Sequence, residues 1–311
     1  MSRQVTFEFE GKEFKIDSNL AFQLDSIMYN LKNDWDFVIL ITGDRKVRVG
    51  KSVLAMVVSA YLSWSAAKLK LNPRAYSAEH VFFDNKLMID AAQGMAKYSI
   101  VQYDEAREGL AASKAMKQFQ QDLVDFFNEC GQLNHVFIIV LPDFFELKEQ
   151  IAVGRSEFLI NVYRKEIKRE MDIYKDGVKR PITVLQRGHF EFFDRGSKQL
   201  LYEIAHSTRR KSYGHVRARF LGDFSNQYPI DEEQYKAKKK DSLSRFKERH
   251  NEQAKLTKDA KMVNNWIHLK RVEGHTSSQI SLLHEETFGV ELTAKAIQKR
   301  EGWMRPIEGA A

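Results

Sequence analysis

"DFVILITGDRKVRVGKSVLAMVVSAYLS" occupies residues 36–63. It sets an unbroken apolar run, Phe37 to Thr42, before a basic turn, and then Gly50-Lys51-Ser52 before a second apolar run. A short run of Val, Ile and Leu without polar alternation reads as a parallel strand covered on both faces, and the run after Ser52 has the length of a helix. A glycine-containing loop between two such elements lets backbone N–H groups converge on phosphate oxygens, while the helix N-terminus adds positive potential. On this reading Gly43, Gly50, Lys51, Ser52 and Val53 bind a nucleotide, with Lys51 reaching the β- and γ-phosphates and Ser52 holding Mg²⁺. Six residues separate Gly43 from Gly50 where the standard pattern has four, and Arg45 stands where that pattern has its first glycine. The competing reading is a basic surface turn with an incidental Gly-Lys-Ser.

A second motif lies downstream. "YSIVQYDEAREG" (98–109) is an apolar strand ending in Asp104-Glu105, and it resembles a Walker B motif. A first carboxylate at a strand tip can hold Mg²⁺ through water, and a second can polarise the water that attacks the γ-phosphate. Alone, the pair would read as a strand end with two solvated acids.

One strand-like run, 80–84, separates the two motifs. The chain therefore resembles the additional-strand, catalytic-glutamate class of P-loop ATPases, which includes RecA-like, FtsK/HerA-like and terminase-type DNA motors. The resemblance covers about residues 35–165 and rests on Gly43, Gly50-Lys51-Ser52, Asp104-Glu105 and the strand order. It implies an α/β fold with a RecA-like P-loop core and a mainly parallel sheet, ATP and Mg²⁺ as cofactors, Glu105 as the catalytic base and Asp104 as a metal ligand with Ser52. It also implies an oligomer, because such ATPases complete their active sites between subunits. Arg155 reads either as an arginine finger toward a neighbouring nucleotide or as a surface salt-bridge partner; Arg45 and Arg48, inside the loop, are rivals for the catalytic role. Asp143, at the tip of the 135–141 run, reads equally as a γ-phosphate sensor or as part of a turn.

The remaining core runs (98–103, 135–141, 158–163) keep a βαβ rhythm. Residues 4–9 and 12–16 alternate around Glu10-Gly11 as a hairpin, and 17–33 has helical spacing with Asp17 or Ser18 as its cap. The stretch 178–206 reads as strands around an Asp194-Arg195-Gly196 turn. Arg209, Arg210, Lys211, Arg217 and Arg219, interleaved with Tyr213, His215 and Phe220, read as a nucleic-acid surface or as a protected sheet edge.

At 311 residues and 43% hydrophobic content the chain can bury a full α/β core and still carry a smaller module. A single cysteine, Cys130, forms no internal disulfide and no CxxC pair, which suits a reducing compartment. No signal-peptide pattern opens the sequence, and no apolar stretch reaches the roughly 20 residues of a membrane helix. No membrane association is expected, and the location read is cytoplasmic, or virus-associated in an infected cell. No histidine spacing suggests a metal cluster, and His135 reads as structural.

The formal charge is +7, and residues 236–261 hold ten Lys/Arg against four Asp/Glu. Such a stretch is a solvated helix or a linker. Beyond it, 259–303 contains a helix, a break at Glu273-Gly274, a helix capped by Thr276 with Gln279, a turn through Phe288-Gly289 and a last helix near Thr293. That resembles a helix-turn-helix module whose Thr293, Lys295, Gln298, Lys299 and Arg300 would contact DNA; a small bundle for protein contact is the alternative. The organisation expected is an N-terminal hairpin and helix (1–34), an ATPase core (35–177), a β-rich extension (178–235), a basic linker or helix (236–258) and the DNA-binding module (259–311). The function read is a Mg-ATP-hydrolysing, DNA-associated motor or assembly ATPase of packaging, replication or partition type. The alternatives are a nucleotide-dependent small-molecule kinase and a DNA-binding scaffold with a degenerate loop.

Overall fold

The structure is a computed structural model that describes residues 3–43, 48–71, 75–104, 113–290 and 292–304, the side chains at 113–119, 246, 247, 249–258, 260 and 301–304 excepted. It divides into two compact units, residues 1–242 and 243–311.

Glu10 and Gly11 both take positive φ, 49° and 72°, the two-residue turn that matches strand twist. It joins β1 (Gln4–Phe9) to β2 (Lys12–Asp17) as an antiparallel hairpin that buries Phe7, Phe9, Phe14 and Ile16. Asp17 then accepts from the Asn19 and Leu20 amides and starts α1 (Ser18–Leu31).

Every apolar run of the core becomes a strand: β3 (Phe37–Gly43), β4 (Val81–Phe82), β5 (Ile100–Asp104), β6 (Val136–Val140) and β7 (Ser156–Met171). With β8 (Arg180–Phe193) and β9 (Phe220–Asp223) they form one sheet among the described residues, in the order β4-β5-β6-β3-β7-β8-β9. The first five are mutually parallel and the last two antiparallel. Helices α2 (Lys51–Lys68), α3 (Asn85–Gly94), α4 (Ser113–Glu129) and α5 (Arg195–Thr208) cover it.

Alternate residues of each strand feed two separate apolar layers, which explains why the runs show no polar alternation. Ile39 and Ile41 of β3 pack with Leu24 and Met28 of α1 and Leu54 and Val58 of α2. Val38 and Leu40 face the other layer, with Met88 of α3, Phe127 of α4 and Leu201 of α5.

Two expectations change. Residues 194–196 are not a turn between strands: Asp194 accepts from the Ser197 amide and caps α5, whose Lys198, Leu201, Tyr202 and Ala205 are buried at helical spacing. β7 also runs well past Tyr163, and its outer half pairs with β8 as an exposed arm, since Lys165, Glu166, Lys168, Arg169 and Glu170 leave it nothing to bury.

The basic stretch lies within a continuous helix, α6 (Glu232–Val272). In the second unit Ile267 of α6, Ile280 of α7 (Ser277–Phe288) and Ile297 of α8 (Ala294–Met304) form a small core with Val263, Trp266 and Leu292 packed around it. Thr276 and Gln279 make the expected capping box, and Gly289 closes α7 at φ 66°. No helix among the described residues is long and apolar enough to cross a membrane.

Candidate functional site

The strand order fixes which residues meet. β6 lies between β3 and β5, so the carboxyl ends of β3 and β5 flank one strand and open on the same edge of the sheet. Crevices outside the carboxyl ends of parallel strands are where such sheets bind ligands. Gly43 ends β3 there, and Asp104 ends β5.

Gly50 is the N-cap of α2 at φ 106°, a backbone state that favours glycine, and it supplies no side-chain cap to the first turn. The amides that open α2 therefore have no intrahelical acceptor and point toward the loop. A Cβ on Gly43 would lie 3.1 Å from Lys51 Cδ and 3.0 Å from Val49 Cγ2. Lys51 is thus folded back across the end of β3, where a side chain at position 43 would crowd it. Val53 is buried in the core and can offer a ligand only its backbone.

Ser52 and Asp104 meet through a residue that no motif announces. The Tyr235 hydroxyl, near the start of α6, donates to Asp104 Oδ2 at 2.7 Å, with Ser52 beside it. The Tyr235 ring is buried between Phe83 and Tyr228, with ring centroids 5.6 and 5.8 Å away. Burial, followed by the Asp104 charge, pushes the phenol well above its ordinary pKa, so it is a neutral donor. Below this trio a buried cluster joins α2 to β5: Ser59 and Tyr76 both donate to Gln102 Oε1, at 3.3 and 2.6 Å.

The same edge continues over β7. Tyr213 donates to Thr42 Oγ1 at 3.0 Å, and a cleft lined by Asn161, Tyr163, Glu191, Lys211 and Tyr213 opens beside it. Tyr213 is thereby a packing partner of β3. Asp143 caps a short turn after β6 by accepting from the Phe145 amide at 3.0 Å.

Other predicted residues fall elsewhere. Arg155 stands just before β7, at the opposite edge of the sheet, and pairs with Asp36 at 2.6 Å. Within this chain it is not brought near Lys51 or Asp104. Arg45 and Glu105 lie outside the described residues. In the second unit Thr293 accepts from the Ala296 amide before α8, Lys295, Gln298 and Lys299 are exposed, and Arg300 donates to Asn264 Oδ1 at 3.0 Å. His135 is buried, bonded to the Ala92 carbonyl, and its pKa is lowered by burial, as a structural histidine requires. Among the described residues no group of three His, Cys, Asp or Glu could hold a metal ion by itself. A site built from one hydroxyl and one carboxylate suits a Mg²⁺ that brings phosphate oxygens and water as its other ligands.

No protein-family model, curated protein or solved structure matches this chain.

Proposed function

We propose that the chain is a Mg-ATP-hydrolysing ATPase that works on DNA, as a motor or an assembly factor. One observation carries the reading: the Lys51-Ser52 pair and Asp104, far from it in sequence, lie at one edge of a parallel sheet in which β6 separates the β3 and β5 strands. Gly50 and the first amides of α2 would cradle the phosphates, and Lys51 would offset the β- and γ-phosphate charge. Ser52 and Asp104 would hold Mg²⁺, which neutralises charge on the transferring group. Glu105, next along the chain, would orient water, and Arg45 within the loop would stabilise the leaving charge. The exposed Lys295, Gln298 and Lys299 of α8, with Thr293 at its start, fit contacts to a phosphate backbone and base edges, in a helix-turn-helix manner. Arg300 is better placed to hold α8 to α6. Self-association would supply any arginine finger.

The test is steady-state ATP hydrolysis by the wild type and Lys51→Ala, with and without DNA. DNA-stimulated turnover that the substitution abolishes supports the proposal, and Glu105→Gln should then bind ATP without hydrolysing it. Turnover that survives Lys51→Ala contradicts it. Deletion of 259–311 separates the DNA assignment, which fails if DNA affinity is unchanged.

A further inference from the structure

Among the described residues Tyr235 bonds to Asp104 and lies beside Ser52, the two proposed metal ligands, and it comes from a segment with no part in either motif. After β9, Phe224 and Ser225 are pinned by backbone bonds to Gly188 and Lys15. Phe224 and Asn226 lie over Gly50, 3.6 and 3.9 Å from where a Cβ there would sit. Ile230 is buried, Asp231 caps α6 by accepting from the Glu233 and Gln234 amides, and Tyr235 follows one turn later. Residues 224–235 therefore run from the phosphate loop to the Asp104 carboxylate.

The Tyr235 hydroxyl lies 2.7 Å from Asp104 Oδ2, beside Ser52. Mg²⁺ demands close octahedral ligands at about 2.0–2.1 Å and keeps several waters. The ion and its waters would need the gap that this hydroxyl fills. The phenol also gives the buried Asp104 carboxylate its side-chain hydrogen-bond partner among the described residues.

We propose that Tyr235 is a latch on the metal position: it holds the Asp104 carboxylate in the nucleotide-free protein and is displaced when Mg-nucleotide enters, loosening the first turns of α6. The inference rests on the nucleotide-site reading above. It makes the start of α6 a reporter of whether metal and nucleotide are bound together. Nucleotide without Mg²⁺ leaves the latch closed.

Tyr235→Phe removes the hydroxyl and keeps the ring between Phe83 and Tyr228. The experiment titrates a fluorescent ATP analogue into full-length wild type and Tyr235→Phe, in Mg²⁺ and in EDTA. In parallel, deuterium exchange of residues 228–240 is followed in the wild type. The latch predicts that the variant binds about three- to tenfold tighter in Mg²⁺, the scale of one lost hydrogen bond to a charged group, and unchanged in EDTA. It also predicts that Mg-nucleotide, but not nucleotide in EDTA, speeds exchange over 228–240 in the wild type. Binding by both proteins with the same Mg²⁺ dependence, or weaker Mg²⁺-dependent binding by the variant, overturns the latch and leaves the nucleotide site standing. Unchanged exchange in the wild type on saturation with Mg-nucleotide overturns it without any variant. Binding to neither protein overturns both readings.

Discussion

The two edges of the parallel sheet treat their polar groups in opposite ways. At the amino ends of the strands Asp36 is paired with Arg155, His135 with the Ala92 carbonyl, and Lys198 with the Ser156 carbonyl and hydroxyl. At the carboxyl ends Lys51 lies folded over Gly43, and the Asp104 carboxylate is bonded to the Tyr235 hydroxyl beside Ser52. Partners fixed by the fold itself serve stability. On the proposed reading, a group held by one side chain from a separate segment serves the ligand instead.

That contrast can be broken by substitutions at either edge. The largest expected effect is at the carboxyl edge: Asp104→Asn should cut Mg²⁺-dependent ATP turnover by about 10²-fold while the thermal midpoint hardly moves, because it removes charge from the reacting site and little packing. A fall in stability with normal turnover would place Asp104 among the structural groups. Arg155→Ala should do the reverse. Asp36 would be left nearly buried without its cation, at a cost of about 1–3 kcal/mol by denaturant unfolding, with turnover per folded molecule within about twofold. Loss of turnover at full stability would restore Arg155 as an arginine finger between subunits.

Lys198 tests the amino edge by pH. Burial lowers its pKa to about 7 in the folded chain, against about 10.4 for a free lysine. Between those values the unfolded chain binds the extra proton, so stability rises with pH, by at most about 1.4 kcal/mol per pH unit. Below the folded pKa both states are charged and this slope disappears. Lys198→Met should flatten the rise relative to wild type across that window; parallel curves would mean that Lys198 is not buried as a neutral amine. The smallest effect is expected at Gly50, where alanine would be held at a φ of 106° and cost about 1–2 kcal/mol. Gly43→Ala, which strains no backbone but crowds Lys51, should instead weaken nucleotide binding with little change in stability.

Much of the carboxyl edge was legible in the sequence because local chemistry announces it. An unbroken apolar run is a covered strand, and Gly-Lys-Ser after β3 or Asp104 at the end of β5 falls where strand geometry must put it. The Glu10-Gly11 turn, the Asp17 cap and the Thr276/Gln279 capping box were equally local. α5 was misread because Gly196 suggested a turn, although the 3–4 spacing of Lys198, Leu201, Tyr202 and Ala205 held the opposite signal. Lys198 was hidden for a different reason: a lysine on an amphipathic helix ordinarily faces water. Tyr235 could not have been found locally, since it meets Asp104 across 131 residues of chain through a segment with no motif of its own. The partner of Arg155 was likewise set by the strand order, which brings the start of β7 beside the start of β3.

The most direct test of the central claim is a calorimetric titration of Mg-ATP into the wild-type protein and into Lys51→Ala. The nucleotide site predicts saturable binding near one per chain in the wild type and affinity reduced by at least about tenfold in the variant, the loss expected for one charge-assisted phosphate contact. Equal binding by the two proteins, or none by the wild type, would contradict it.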